Sequence, residues 1–262
     1  MILDELVRAT SIRIEKHKSL KSLAEIKKEA LSLNPETGFP FKKALMGKEM
    51  SFICEVKKAS PSKGLIAEDF PYLDIAKDYE KAGADAISCL TETDYFLGRD
   101  EYLRDIAKNV SIPVLRKDFT IDEYMIYEAK VLGASAVLLI CSLLDKDTLK
   151  RYLYTAHSLG LSALVEAHDE AETEMALTSG AGIIGVNNRN LKDFTVDISN
   201  SVDLKRLIPD DVIYVSESGI RNADDVAALY KNGTNAVLIG ELLMRSPDKE
   251  KVLNELRGKC HD

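Results

Sequence analysis

Lys231-Asn232-Gly233-Thr234-Asn235-Ala236-Val237-Leu238-Ile239-Gly240 leaves a helix-like segment, passes a glycine and enters a short apolar run. Lys81-Ala82-Gly83-Ala84-Asp85-Ala86-Ile87 makes the same passage, as do the segments around Gly133 and Gly180. A glycine just past a helix end accepts the left-handed backbone that other residues resist, so each of these marks a helix-to-strand junction. The junctions lie roughly 50 residues apart, about two strand-plus-helix units, and intervening strands fill the gaps. The pattern predicts strands near 52–57, 85–90, 113–117, 135–140, 161–166, 182–187, 212–216 and 235–239. Helices lie between them, some announced by an acidic start at Asp122, Asp145 or Asp169. Eight alternating units are what a closed (β/α)₈ barrel needs. A doubly wound open sheet is the alternative, because strand count does not prove closure.

Several of these runs end in a charged or amide residue. Ile53-Cys54 leads into Glu55-Val56-Lys57, Val114-Leu115-Arg116 into Lys117, Ala163-Leu164-Val165 into Glu166, Ile183-Ile184-Gly185-Val186 into Asn187, and Val212-Ile213-Tyr214-Val215-Ser216 into Glu217. Parallel strands covered on both faces read as continuous apolar runs, and their carboxyl ends are where α/β enzymes place their chemistry. The two runs that end in Thr91 and Cys141 read as walls of such a site.

Residues 1–48 differ from the remainder: Leu3, Leu6, Val7 and Ile14, then Leu20, Leu23, Ile26 and Leu31, recur at helical spacing among Lys and Glu. This is an amphipathic helical extension, expected to close at the Asn34-Pro35 and Phe39-Pro40 breakers, with the barrel over 49–262. A chain of 262 residues suits one such barrel. The formal charge of −8 argues against nucleic acid as the main partner while leaving room for a locally basic pocket. The opening MILDELVRAT has neither a basic nor an apolar leader region and no tract is long enough to span a membrane, so a cytoplasmic protein is expected. The four cysteines, Cys54, Cys89, Cys141 and Cys260, show no CxxC pairing, and three lie in apolar runs, as small hydrophobes of a reduced core.

Glu55 and Lys57 are two apart on a strand and leave it on one face. A carboxylate and an ammonium there serve as an acid–base pair or, equally, as a structural salt bridge. Lys117 is an amine at a strand end: a general acid, a Schiff-base former, an anion clamp or an exposed loop lysine. Glu166 ends the fifth strand: either burial raises its pKa enough to donate a proton near neutrality, or it only receives hydrogen bonds from neighbouring loop amides. Asn187 and Arg189 suit hydroxyls or an anion. His157 and His168 fall on helices or helix starts and rank below these as bases. Gly219 and Gly240 follow strands seven and eight, the loops that commonly form a phosphate site with the N-terminus of an extra helix.

These residues resemble a known family, the indole-3-glycerol phosphate synthases. The most specific element is Ile53-Cys54-Glu55-Val56-Lys57-Lys58-Ala59-Ser60-Pro61-Ser62-Lys63-Gly64. Leu115-Arg116-Lys117-Asp118-Phe119, Leu164-Val165-Glu166-Ala167-His168, Ile184-Gly185-Val186-Asn187-Asn188-Arg189, Val215-Ser216-Glu217-Ser218-Gly219-Ile220 and Ile239-Gly240-Glu241-Leu242-Leu243-Met244-Arg245 match in order. The resemblance implies a (β/α)₈ lyase that converts 1-(2-carboxyphenylamino)-1-deoxyribulose 5-phosphate to indole-3-glycerol phosphate with loss of carbon dioxide and water. It implies no cofactor, no metal, and a monomer or weak homodimer without nucleic-acid or membrane partners.

By the same resemblance, Lys117 is the general acid at the ketone oxygen and Glu166 an acid in ring closure or dehydration. Glu55 is a base, and Lys57 binds the carboxylate or donates a proton. Ser60, Asn187, Arg189, Glu217 and Ser218 position substrate, Phe119, Leu138 and Leu191 wall the aromatic ring, and Gly219, Gly240 and Glu241 take the phosphate. The extension and the Ser60–Ile66 loop cover the pocket. Met125, Arg99 and Ala167 depart from the family pattern and bear on packing rather than on the reaction. Another sugar-phosphate barrel, such as a phosphoribosylanthranilate isomerase-like protein, a Schiff-base aldolase acting through Lys117, or an idle phosphate-binding barrel are the competing readings.

Overall fold

The computed structural model describes residues 2–47, 49–190 and 194–258. Eight parallel strands form the sheet: β1 Ser51–Val56, β2 Ala86–Leu90, β3 Val114–Lys117, β4 Ala136–Ile140, β5 Ser162–Ala167, β6 Ile183–Asn187, β7 Ile213–Glu217 and β8 Ala236–Ile239. Each pairs with its sequence neighbour, and β1 pairs with both β2 and β8, Ile53 standing opposite Ala86 on one side and Leu238 on the other. The sheet is therefore a closed barrel, which excludes the open doubly wound alternative. Every strand lies within about one residue of its predicted span, as expected of boundaries read from pattern.

The period-2 alternation of β1 separates two cores. Phe52, Cys54 and Val56 face outward into the layer between sheet and helices, while Ile53 faces the barrel interior with Leu115, Leu138, Leu164, Val215 and Leu238. Glu55 and Lys57 share the inward parity of Ile53, which is why they reach the mouth.

The helices around the barrel are α4 Tyr72–Lys81, α5 Asp100–Asn109, α6 Glu123–Leu132, α7 Lys146–Ser158, α8 Glu170–Thr178, α9 Ser199–Leu204, α10 Ala223–Lys231, α11 Glu241–Arg245 and α12 Lys249–Gly258. Three of them, α6, α7 and α8, start at the acids foretold, the Asp122, Asp145 and Asp169 side chains accepting from the N–H of Tyr124, Thr148 and Glu172. No helix among the described residues is long and apolar enough to cross a membrane.

The residues before β1 form α1 Ile2–Leu20, α2 Leu23–Ser32 and α3 Pro40–Ala44. Ile14, Ile26 and Ala30 enter the same outer core as the barrel helices, and α1 and α2 pack on α6. Phe39-Pro40 opens a helix instead of closing one: Pro40 sits at the start of α3, where its missing N–H costs nothing and its fixed φ suits the helix. The short α3 delivers Phe41 and Leu45, both fully buried, to the interior core beside Ala86, Ala136, Ile183 and Ala236, residues at or next to the amino ends of their strands. The two side chains stopper that end of the barrel.

Candidate active site

The opposite, carboxyl-terminal end opens into a cavity of about 570 Å³. Its floor carries Glu55, Lys117, Glu166 and Glu217, contributed by β1, β3, β5 and β7. Lys117 Nζ donates to Glu166 Oε2 at 2.8 Å and to Glu217 Oε2 at 3.0 Å. Lys57 pairs with Glu55 Oε2 beside them. Asn187 Nδ2 donates to the other oxygen of Glu166 at 3.3 Å, and its own carbonyl accepts the Arg189 N–H at 3.0 Å. One run-end residue from every odd strand thus meets at a single floor.

The buried charges divide unequally. Burial pulls Lys117 down, but the flanking carboxylates Glu166, Glu217 and Glu55 outweigh it and hold the ammonium above the ordinary lysine range. Burial pushes Glu166 up, yet the cations Lys117 and His168 reverse this and hold it below the usual carboxylate range. Burial pushes Glu217 up as well; Lys117 opposes, the negative charges of Glu166 and Glu55 add, and the net is a carboxyl raised to about 7. Sequence reasoning expected the raised acid at Glu166. The structure moves it to Glu217, because Glu166 has a second cation, His168 Nε2 at 3.4 Å from Oε1, and Glu217 has only a share of Lys117. Among the described residues, Glu217 Oε1 is a buried oxygen without a hydrogen-bond partner.

Phe119 and Leu138 line the cavity with Leu90 and Ile140, so the two strands lacking a charged terminus supply apolar surface. Leu191 lies outside the described residues. Ser60 belongs to a two-stranded hairpin, Ala59–Ser60 with Gly64–Leu65, that sequence analysis read as a loop; it borders the cavity through Ser60 and Lys63, and Ile2 and Leu6 of α1 border it too.

Arg189, Ser218, Gly219, Gly240 and Glu241 form one side of the mouth. Ser218 and Gly219 both adopt left-handed backbone, φ 66° and 87°. For a serine this costs about 1–2 kcal/mol, strain of the kind that surrounding structure holds at functional loops. Asn188, which sequence analysis passed over, holds that loop: its Nδ2 donates to Ser216 Oγ and the Ser218 carbonyl, both at 3.0 Å, and its Oδ1 accepts from Ser201. The Glu241 carboxylate turns aside to Arg245 at 3.0 Å and Lys63 at 3.6 Å, leaving its backbone N–H as its means of meeting an anion.

Two glycines have reasons sequence did not supply. A Cβ on Gly240 would stand 2.5 Å from Glu55 Oε2 and 2.9 Å from Lys57 Nζ, so this glycine makes room for the acid–base pair as well as bordering the mouth. A Cβ on Gly185 would stand 2.1 Å from Glu217 Oε1. A glycine inside the apolar run Ile183-Ile184-Gly185-Val186 was the available signal, since mid-strand glycine often marks close approach.

Behind the floor, α1 grips the strand that bears Lys117. Arg13 Nη2 donates to both Asp118 oxygens at 2.7 and 2.8 Å, and Nη1 to the Thr91 carbonyl at 2.9 Å. Asp118 also accepts the Phe119 N–H at 2.8 Å. Arg116, pointing outward, is fully buried between Glu128 at 2.7 Å, Asp100 at 3.1 Å and the Met125 carbonyl at 3.0 Å. His17, Asp100 and Glu128 bring three metal-type ligand atoms within 4.8 Å, but the Arg116 guanidinium already pairs with both carboxylates and His17 with Glu128. Cys54, Cys89 and Cys141 are free and buried, each thiol pushed up by burial; Cys260 lies outside the described residues. Of the departures from pattern, Met125 and Ala167 are buried packing residues and Arg99 precedes α5, none of them in the cavity lining.

The comparisons with known proteins agree with one another. The model of the family described as indole-3-glycerol phosphate synthase matches residues 3–256. An indole-3-glycerol phosphate synthase of Ruminiclostridium cellulolyticum is 60% identical over 260 residues, 99% of this chain and 100% of that one. One of Endomicrobium trichonymphae is 58% identical, covering 98% of this chain and 100% of that one. Among solved structures, a 3-hexulose-6-phosphate synthase superposes with a TM-score of 0.65 at 16% identity, covering 80% of this chain and 99% of that one, a likeness of fold alone.

Proposed function

The chain belongs to the indole-3-glycerol phosphate synthase family, and from that premise we propose how its own residues divide the work of the reaction. The substrate is 1-(2-carboxyphenylamino)-1-deoxyribulose 5-phosphate. The observation that carries the assignment is one ammonium, Lys117, held between two buried carboxylates on the floor of an apolar-walled cavity.

Phe119 and Leu138 enclose the anthranilate ring, and Lys57 meets its carboxylate. The phosphate lies across the mouth against the backbone of Gly219, Gly240 and Glu241, with Arg189, Ser60 and Ser218 positioning the sugar. Lys117 donates a proton to the ketone oxygen as the carboxylated ring carbon bonds to the ketone carbon. Loss of carbon dioxide returns the electron pair to the ring and restores its aromaticity. The new hydroxyl leaves as water with a proton from the acid cluster, where Glu217 is the carboxyl protonated near neutrality and Asn187 and Glu166 hold the reacting end. Glu55 accepts the proton lost from the carbon beside nitrogen as the indole forms. One carbon dioxide and one water balance the conversion.

A general acid of this kind contributes about 10²–10⁴ in rate, and a fixed ammonium in a water-poor cavity adds electrostatic stabilisation of the developing alkoxide. The test is direct: the substrate alone, without metal or nucleotide, should give indole fluorescence with the folded protein. Absence of signal favours the other sugar-phosphate barrels, and borohydride trapping of substrate on Lys117 would favour the Schiff-base reading.

A further inference from the structure

His168 ranked low as a base in the sequence, and it is not among the residues lining the cavity. Its surroundings nevertheless concern the floor. His168 Nδ1 and its backbone N both meet Glu172 Oε2, at 2.9 and 2.8 Å. On the other edge of the ring, buried Nε2 stands 3.4 Å from Glu166 Oε1, an ion contact rather than an aligned hydrogen bond. The ring is thus flanked by one carboxylate at each nitrogen. Ionised carboxylates only accept, and only imidazolium offers a proton at both nitrogens. Burial disfavours the charged ring, but contacts with Glu166 and Glu172 prevail and raise His168 to about 10.

We propose that the Glu172–His168 pair is a positioning device for Glu166: it holds the Oε1 edge of that carboxylate with a second cation, so Glu166 stays ionised and Glu217 carries the proton the two acids share. The inference rests on the ring-closure reading above. The groups facing the pair are Lys117 on β3, Glu217 on β7, Glu55 on β1 acting through Lys117 and Glu217, Glu172 on α8, and the buried Cys141 after β4. Asn187 on β6 adds a neutral donor to Glu166. His168 stands outside the cavity lining and contacts Glu166 directly, and Glu172, also outside it, reaches Glu166 through His168.

The experiment compares the full chain with His168→Phe and Glu172→Gln, following kcat and KM from about pH 5.5 to 9.5 and the imidazole resonances by proton NMR. For His168→Phe, kcat falls about ten- to a hundredfold with KM within about threefold, and an acid limb absent from the parent enters this pH range as Glu166, left like Glu217 with only a share of Lys117, regains a proton. For Glu172→Gln, the His168 resonance titrates nearer the ordinary imidazole range and kcat acquires an alkaline limb at that pH. A drop in kcat with limbs unmoved in both variants marks a merely structural role and overturns the proposal, as does an unchanged profile. Should His168→Phe not fold, Glu172→Gln alone decides. If the parent converts no substrate, the ring-closure reading has failed instead, and a parent His168 titrating at its ordinary value overturns the pairing independently.

Discussion

Glu166 and Glu217 accept from the same ammonium, Lys117 Nζ, at 2.8 and 3.0 Å, yet the first is held below the usual carboxylate range and the second is raised to about 7. Burial is common to both. The difference is the third neighbour, since Glu166 also faces His168 while Glu217 faces other negative charge. A pair of like groups driven apart by surroundings is how one site holds an acid and a base at a single pH.

Lys117→Met removes the proton donor and leaves the phosphate side of the mouth intact. We expect kcat to fall by about 10³ or more while a substrate analogue binds within about tenfold of the parent affinity. Single-turnover fluorescence and an equilibrium titration separate the two quantities, and full activity in the variant would falsify the role of Lys117.

Gly185→Ala places a methyl 2.1 Å from Glu217 Oε1 and 3.1 Å from Leu164 Cδ1. The carboxyl must swing off Lys117, so kcat should drop by about a hundredfold although nothing polar has been altered. A crystal structure of the variant with Glu217 undisplaced, or unchanged kcat, contradicts this.

Glu217→Gln should trade activity for stability, and only at high pH. The folded pKa of about 7 lies above the ordinary 4.5, so the parent's stability from this group is present below 4.5 and lost as pH rises through 7. Glutamine has no charge to bury. The variant should therefore exceed the parent above pH 7 by up to about 3 kcal/mol and approach it near pH 4.5, read from urea midpoints. An advantage that does not grow with pH argues against a raised Glu217.

Arg13→Met leaves Asp118, whose side chain has no solvent exposure, with Thr91, the Phe119 N–H and a guanidinium 3.7 Å away as its remaining partners. A loss of about 3 kcal/mol is expected, since removing one partner leaves a buried charge. Because Asp118 also fixes the Phe119 N–H, KM should rise several-fold. Stability within about 0.5 kcal/mol of the parent would show that Arg13 is dispensable.

The fold was legible because its signals are local. Each of Gly83, Gly133, Gly180 and Gly233 has a positive φ at a helix end, and spacing alone put Glu55 and Lys57 on one face of their strand. Run-end residues were legible for the same reason, as parity and strand order place them. What escaped depends on partners distant in the chain. Gly185 is explained only by Glu217, Arg13 only by Asp118, and the low carboxyl pKa of Glu166 only by a histidine that looked like part of a helix start. Pro40 misled because a proline stops one helix and starts the next with equal ease, and only Phe41 and Leu45 seated in the interior reveal which it does here.

That stopper governs traffic as well as packing. With Phe41 and Leu45 filling the far end, the described residues open the cavity toward the carboxyl-terminal mouth, and what is released inside it leaves past whatever remains bound there. On the reading proposed above, carbon dioxide and water form beneath a product whose phosphate lies across the mouth, so the two small products depart around the large one or wait for it. The order of release is thereby tied to the hairpin and α1 residues at the rim, remote from any bond that breaks.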